Sequence, residues 1–210
     1  MEIRMNIEIR KEKNSEYREV ENIVREAFWN IYRPGCFEHL ILHNFRNREN
    51  YVGELSNVIS LDKKVIGQIL FSKAFLTNMN DQRKLAVGTF GPVSILPEYQ
   101  RKGYGAQLIN HTLGKAKEYG YKYIVIFGNQ DYYQKFEFVS AIKYGVLIEG
   151  QDKNEDYDFV LIKDLTNSNE VSIQTGYWLY KDPDGYEVDE QELEEFEKQF
   201  PYKEKSKISE

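Results

Sequence analysis

The chain has 210 residues, 41% of them hydrophobic and 14% aromatic, which suits one packed domain and excludes an intrinsically disordered chain. Its net charge of −6 argues against a general affinity for nucleic acid, so an anionic cofactor must be held by local features. No apolar run reaches the roughly eighteen residues of a membrane span, no signal-peptide core opens the chain, and a single cysteine excludes an internal disulfide and fits a reducing cytoplasm.

Ile3, Ile7 and Ile9 predict a first strand. Asn14 or Ser15 is placed to cap a helix running to Trp29, with Val20, Ile23, Val24, Ala27 and Phe28 on its apolar face. Arg33-Pro34-Gly35 breaks it, and a second helix is expected from Cys36 to Arg46. Val58 to Leu61 and Val65 to Phe71 read as strands joined across Asp62-Lys63-Lys64, a hairpin signal. A polar connection from Asn78 to Lys84 leads into an apolar strand that stops at Pro97, which cannot continue a central ladder. Ala106, Ile109, Leu113 and Ala116 recur at helical spacing up to Gly120, and Tyr123 to Phe127 has the pattern of a strand buried on both faces.

Past Tyr144 the pattern loosens. Gly150 to Asp156 is a polar linker, and Phe159 to Ile162 should return to the sheet. Ile173, Thr175, Tyr177 and Leu179 alternate like a strand, Asp182-Pro183-Asp184-Gly185 is a turn, and Asp189 to Phe200 is a capped helix with Leu193, Phe196 and Phe200 on one face. The end is expected to fray from about residue 203.

The glycines of Gln100-Arg101-Lys102-Gly103-Tyr104-Gly105 sit where a strand hands over to a helix. A helix N-terminus carries unpaired amides and the positive end of the dipole, and glycine lets an anion approach them closely. Arg101 and Lys102 add positive charge. The physical reading is a phosphate or pyrophosphate cradle. A Rossmann fingerprint needs a third glycine where Leu108 stands, and no Gly-Lys-Ser/Thr exists for a P-loop.

Gln-x-x-Gly-x-Gly in this context, followed by Tyr132-Tyr133-Gln134-Lys135-Phe136-Glu137-Phe138, resembles the GNAT superfamily of acyl-CoA-dependent N-acetyltransferases. Glu137 stands where that family usually has glycine, which bears on the local turn. The resemblance implies an α/β fold of the α+β type: a mixed, mostly antiparallel central sheet flanked by helices. It covers residues 1–148, leaving 149–210 as a C-terminal strand and helix extension packed on that core. It further implies acetyl-CoA as co-substrate, held at the pyrophosphate by Gln100, Arg101, Lys102, Gly103, Tyr104 and Gly105. Pantetheine would pair with the backbone of Val93, Ser94 and Ile95, and Tyr133 would protonate the departing thiolate. Tyr132, one position earlier, would point about a hundred degrees away on a helix.

No general base is legible: the strand position where some members carry glutamate is Thr89. Cys36, His39 and His43 share a helical face, but lack the glutamate of a zincin and any second ligand cluster, so they read as lining residues and no metal is expected. The expected activity is acetyl transfer to a small-molecule or peptide amine by direct attack in a ternary complex. Its rivals are a non-catalytic acyl-CoA-binding regulatory module of the same fold and a Cys36-based acyltransferase or thioesterase. No nucleic-acid or membrane partner is expected. The aromatic run Tyr177-Trp178-Leu179-Tyr180 needs covering by the core or by a second subunit of a homodimer.

Overall fold

In the computed structural model, which describes residues 6–166, 173 and 176–206, strand β1 (Ile7–Lys11) comes first. A single 3-10 turn, Asn14–Glu16, leads into helix α1 (Tyr17–Phe28). Neither Asn14 nor Ser15 caps it. Instead the Glu16 carboxylate folds back to accept from the Lys13 amide at 3.1 Å while Arg10 grips it at 2.6 and 2.8 Å. Helix α2 (Glu38–Phe45) follows, then the hairpin of β2 (Asn57–Leu61) and β3 (Lys64–Asn78). Asp62 and Lys63 turn at φ 50° and 73°, the two positive angles of a tight two-residue loop. Asn78 accepts from the amides of Asn80 and Asp81, turning the chain into β4 (Lys84–Ile95).

Helix α3 (Tyr104–Tyr119) ends at Gly120, whose φ of +104° is a natural stop. Strand β5 (Tyr123–Phe127), helix α4 (Gln130–Tyr133), β6 (Val139–Ser140), β7 (Val146–Ile148), β8 (Val160–Asp164) and β9 (Trp178–Lys181) come next. The last helix, α5 (Glu190–Glu197), is capped by Asp189, which accepts from the Gln191 and Glu192 amides at 2.9 Å each. Among the described residues no helix is long and apolar enough to cross a membrane.

The chain divides into two units. The first takes Met1–Leu70, Pro92–Thr112 and Asp184–Glu210. In it β1, β2 and β3 pair antiparallel, and Val20, Ile23 and Val24 of α1 and Ile41, Leu42 and Phe45 of α2 pack with Val58, Val65 and Leu70. Leu193, Phe196 and Phe200 cover Leu40. Trp29 Nε1 donates to the Glu204 carbonyl at 2.8 Å and Lys203 pairs with Glu26 at 2.6 Å, so the described part of the tail is tied to α1.

The second unit takes Phe71–Gly91 and Leu113–Pro183. There the far half of β3 pairs antiparallel with β9, β9 pairs parallel with β7, and β5 and β6 each pair antiparallel with β8. The sheet is thus mixed and mostly antiparallel, as expected. Residues 149–183 therefore build the second unit and 184–210 the first. The expected strand from Ile173 is shorter, since β9 begins at Trp178 and Thr175 lies outside the described residues. Trp178 and Tyr180 are buried in this unit's own core with Ala74, Leu76, Val87, Tyr123 and Val125, so the aromatic run is covered largely by its own chain.

Candidate active site

Gly103 holds φ at +87°, and a Cβ built there meets nothing within 4 Å: the space above the loop is open. The Gly103 carbonyl accepts from the Gln107 amide at 3.1 Å and so makes the first helical bond of α3. That leaves the amides of Gly103, Tyr104, Gly105 and Ala106 as the four without an intrahelical partner. Their orphan donors and the dipole of a 16-residue helix lie at the loop where the sequence leads one to expect an anion.

The loop side chains divide in role. Gln100 donates to the Ile95 carbonyl at 2.9 Å, tying loop to strand. Lys102 reaches back to the Glu98 carbonyl at 2.7 Å and lies over the Tyr99 ring. Tyr104 is buried beside Tyr99, which leaves its backbone amide as its contribution to an anion site. Arg101 is exposed, holds φ 58°, and makes no ion pair among the described residues.

The strand entering the loop is shaped by residues that sequence reasoning passed over. Gly91, at φ +147°, and Pro92, with no amide hydrogen, sit within β4. The parallel ladder of β4 with β5 is the single pair Gly88↔Ile124, whereas β5 pairs with β8 at all five of its residues. Buried Gln68 donates to the Pro92 carbonyl at 3.0 Å and to Ser94 Oγ at 3.2 Å. Gly67 lets the strands close up: a Cβ there would stand 2.6 Å from the Ser94 carbonyl oxygen and 2.3 Å from Ile95 Cδ1. The available signal was a Gly-Gln pair inside an apolar strand, since a buried polar side chain needs a partner.

Tyr133 lies at the end of α4. Asn129 accepts from the Tyr132 amide at 3.0 Å and starts that turn, which fixes which tyrosine points where. The Tyr133 ring rests on Gly128, where a Cβ would come within 2.5 Å of it, and is flanked by Phe90 and Phe138. Tyr132 stands at right angles to it under Lys135, whose ammonium lies 3.8 Å from its ring centre. Burial raises the Tyr132 phenol above its ordinary value, although 41% of the residue is exposed. Glu137 takes the glycine-like turn itself, at φ 63°, with its carboxylate 2.6 Å from Lys163.

Residues 17–138 match the model of the acetyltransferase (GNAT) family, more than half the chain. The chain belongs to the GNAT family. It is 27% identical over 84 residues to the uncharacterized N-acetyltransferase YjhQ of Escherichia coli K12, a match spanning 40% of this chain and 45% of that protein. A GNAT acetyltransferase of Brucella melitensis, crystallised with acetyl-CoA, is similar at 27% identity and TM-score 0.58, over 64% of this chain and 84% of its own. YhbS of Escherichia coli, crystallised with CoA, shares the fold at TM-score 0.68 and 18% identity, over 86% of this chain and 93% of its own. The GNAT match ends at Phe138, so β6 to β9 and α5 lie outside it.

Elsewhere in this GNAT chain, Cys36, His39 and His43 do not converge on one point. Cys36 Sγ lies 3.4 Å from His39 Nδ1, while His43 turns to Glu21 at 2.7 Å. Burial pushes the Cys36 thiol well above its ordinary range, and burial likewise holds His39 down at about 4. His39 is thus neutral at pH 7 and no thiolate forms beside it, which weighs against a cysteine nucleophile. His39 Nε2 faces Glu197 Oε2 at 3.0 Å without the alignment of a hydrogen bond, and Glu197 is held chiefly by Arg25.

Proposed function

We propose that this protein is a cytoplasmic N-acetyltransferase that moves the acetyl group of acetyl-CoA to a primary amine, of a small molecule or a peptide, by direct attack in a ternary complex. The observation that carries the reading is the open amide cradle at Gly103–Ala106, built to take the pyrophosphate of an anionic nucleotide. The backbone of Val93, Ser94 and Ile95, braced by Gly67 and Gln68, is assigned to the pantetheine arm. A free amide there would also steady the oxyanion that develops on the thioester carbonyl. Tyr133 is assigned to the leaving thiolate: its phenol, of a type with pKa near 10, is protonated at neutral pH and can give that proton up.

Incubating the protein with acetyl-CoA and a panel of primary amines, with free thiol as the readout, tests this directly. Amine-dependent thiol release supports the transferase. Tight acetyl-CoA binding with no release from any amine points instead to the regulatory module. For the cradle, Gly105→Val should weaken acetyl-CoA binding more than tenfold, about 1.4 kcal/mol or more, by setting a branched side chain against the phosphates. Arg101→Ala should cost less, because an exposed charge is screened by salt. Calorimetry on the folded variants checks both, and unchanged affinity in Gly105→Val would remove the cradle from the site.

A further inference from the structure

The second unit carries a partly exposed aromatic cluster, or mouth, with a carboxylate bonded to one of its tyrosines. At the C-terminal end of β5, Phe127 is 46% exposed and meets Phe159, 45% exposed, at 5.9 Å between ring centres. Tyr157 stacks on Phe159 at 5.4 Å, and the Tyr180 ring closes on Phe127 at 5.7 Å. The Tyr180 hydroxyl lies 2.9 Å from Asp182 Oδ1, the residue that follows β9. Phe127 runs straight into Gly128, the seat of the Tyr133 ring, so the mouth and Tyr133 adjoin across one turn.

Asp182 is half-buried and has no lysine, arginine or histidine within ion-pair distance among the described residues. Burial pushes its carboxyl above the ordinary range, and the Tyr180 hydroxyl only partly opposes this. A desolvated carboxylate without a counter-ion is costly, and a ligand cation offsets that cost. Aromatic faces attract cations as well. Tyr180 and Tyr157 are the titratable side chains whose rings contact Phe127 and Phe159 among the described residues. Lys73 of β3 and Lys84 of β4 lie over the Phe75 ring instead, at 4.8 and 5.9 Å from its centre.

We propose that this mouth is the acceptor pocket, that it selects a cationic primary amine with an apolar or aromatic body, and that Asp182 takes the proton which frees the amine for attack. The inference rests on the transferase reading above. Asp182 removes one proton from R–NH3+, and the neutral nitrogen bonds to the thioester carbonyl carbon. The C–S bond then breaks as the thiolate takes the Tyr133 proton. The amide nitrogen's surplus proton passes through water to the Tyr133 phenolate, and Asp182 returns its own to solvent. The sum is amide, CoA thiol and one released proton.

The test is steady-state kinetics of Asp182→Asn with benzylamine, phenethylamine and a neutral-bodied hydroxyalkyl amine as acceptors. Near pH 7 the expected loss in kcat/KM is about a hundredfold, the lower range for removing a general base. The deficit should shrink as pH rises toward the amine's own pKa, where free amine no longer needs a base. Acetyl-CoA affinity and Tm should hold. An unchanged kcat/KM, or a loss equal at every pH, overturns the role of Asp182. Phe159→Ala, an exposed change that leaves the carboxylate in place, should raise KM for the aromatic amines several-fold with kcat kept. An unmoved KM overturns the pocket. If the unaltered protein turns over no amine, the transferase reading falls and takes this one with it, whereas an active protein with an indifferent Asp182 loses only the latter.

Discussion

Replacing Tyr133 by phenylalanine should lower kcat by about 10²- to 10⁴-fold while leaving acetyl-CoA affinity and Tm nearly unchanged. The substitution keeps the ring on Gly128 and between Phe90 and Phe138, so the packing survives and only the hydroxyl is lost. Tyr132→Phe makes the same chemical change one residue away, on a ring that stands at right angles under Lys135, and should cost severalfold at most. Rates for both variants under saturating acetyl-CoA decide the matter. A crippled Tyr132→Phe beside a healthy Tyr133→Phe would exchange the roles. Two healthy variants would mean that the thiolate leaves without help or takes its proton from water.

The register of those two tyrosines shows what the sequence made legible. Strand, glycine loop, helix and strand were readable because each rests on a local rule: period, stop residue, or an apolar run. The family resemblance supplied the loop's expected role, and Gly103 there holds φ +87° with open space beside it. Side-chain roles were less legible. Gln100 and Lys102 look like ligand contacts in one dimension, yet they bond the Ile95 and Glu98 carbonyls. Carbonyls near in space but not aligned by any period leave no sequence pattern. Gly67 and Gln68 left only a Gly-Gln pair inside an apolar strand as a trace, since their partners lie more than twenty residues on. Asp182 read as turn chemistry, and only the fold shows it bonded to a tyrosine, Tyr180, whose ring meets Phe127 of β5. Glu137 shows the converse: a residue that breaks the family pattern still takes the left-handed turn, with Lys163 beside its carboxylate.

Replacing Arg46 by alanine should destabilise the fold by about 3–5 kcal/mol at neutral pH, the range for leaving buried charges unpaired. Arg46 grips Glu12 with two nitrogens, at 2.6 and 3.0 Å, and Glu21 with a third at 2.5 Å, while its guanidinium lies over the Tyr17 ring. All three charged side chains are at most 5% exposed. Arg18 and His43 also approach Glu21, but among the described residues Glu12 has only Arg46 as its cationic partner. Burial already holds the Glu12 carboxyl above its ordinary range, and Arg46 is the main force pulling it down. A carboxyl raised in the folded state binds its proton more tightly there than in the unfolded chain. Between those two values stability therefore falls as pH rises. Deleting Arg46 widens that window, so the deficit of Arg46→Ala should be largest at about pH 7.5 and smaller near pH 5. Arg46→Lys restores a charge but not the fork, and should fall between the two. Urea unfolding of the three proteins at both pH values is the measurement. A deficit that does not shrink in acid would trace the loss to the Tyr17 stacking and the vacated volume rather than to Glu12 and Glu21.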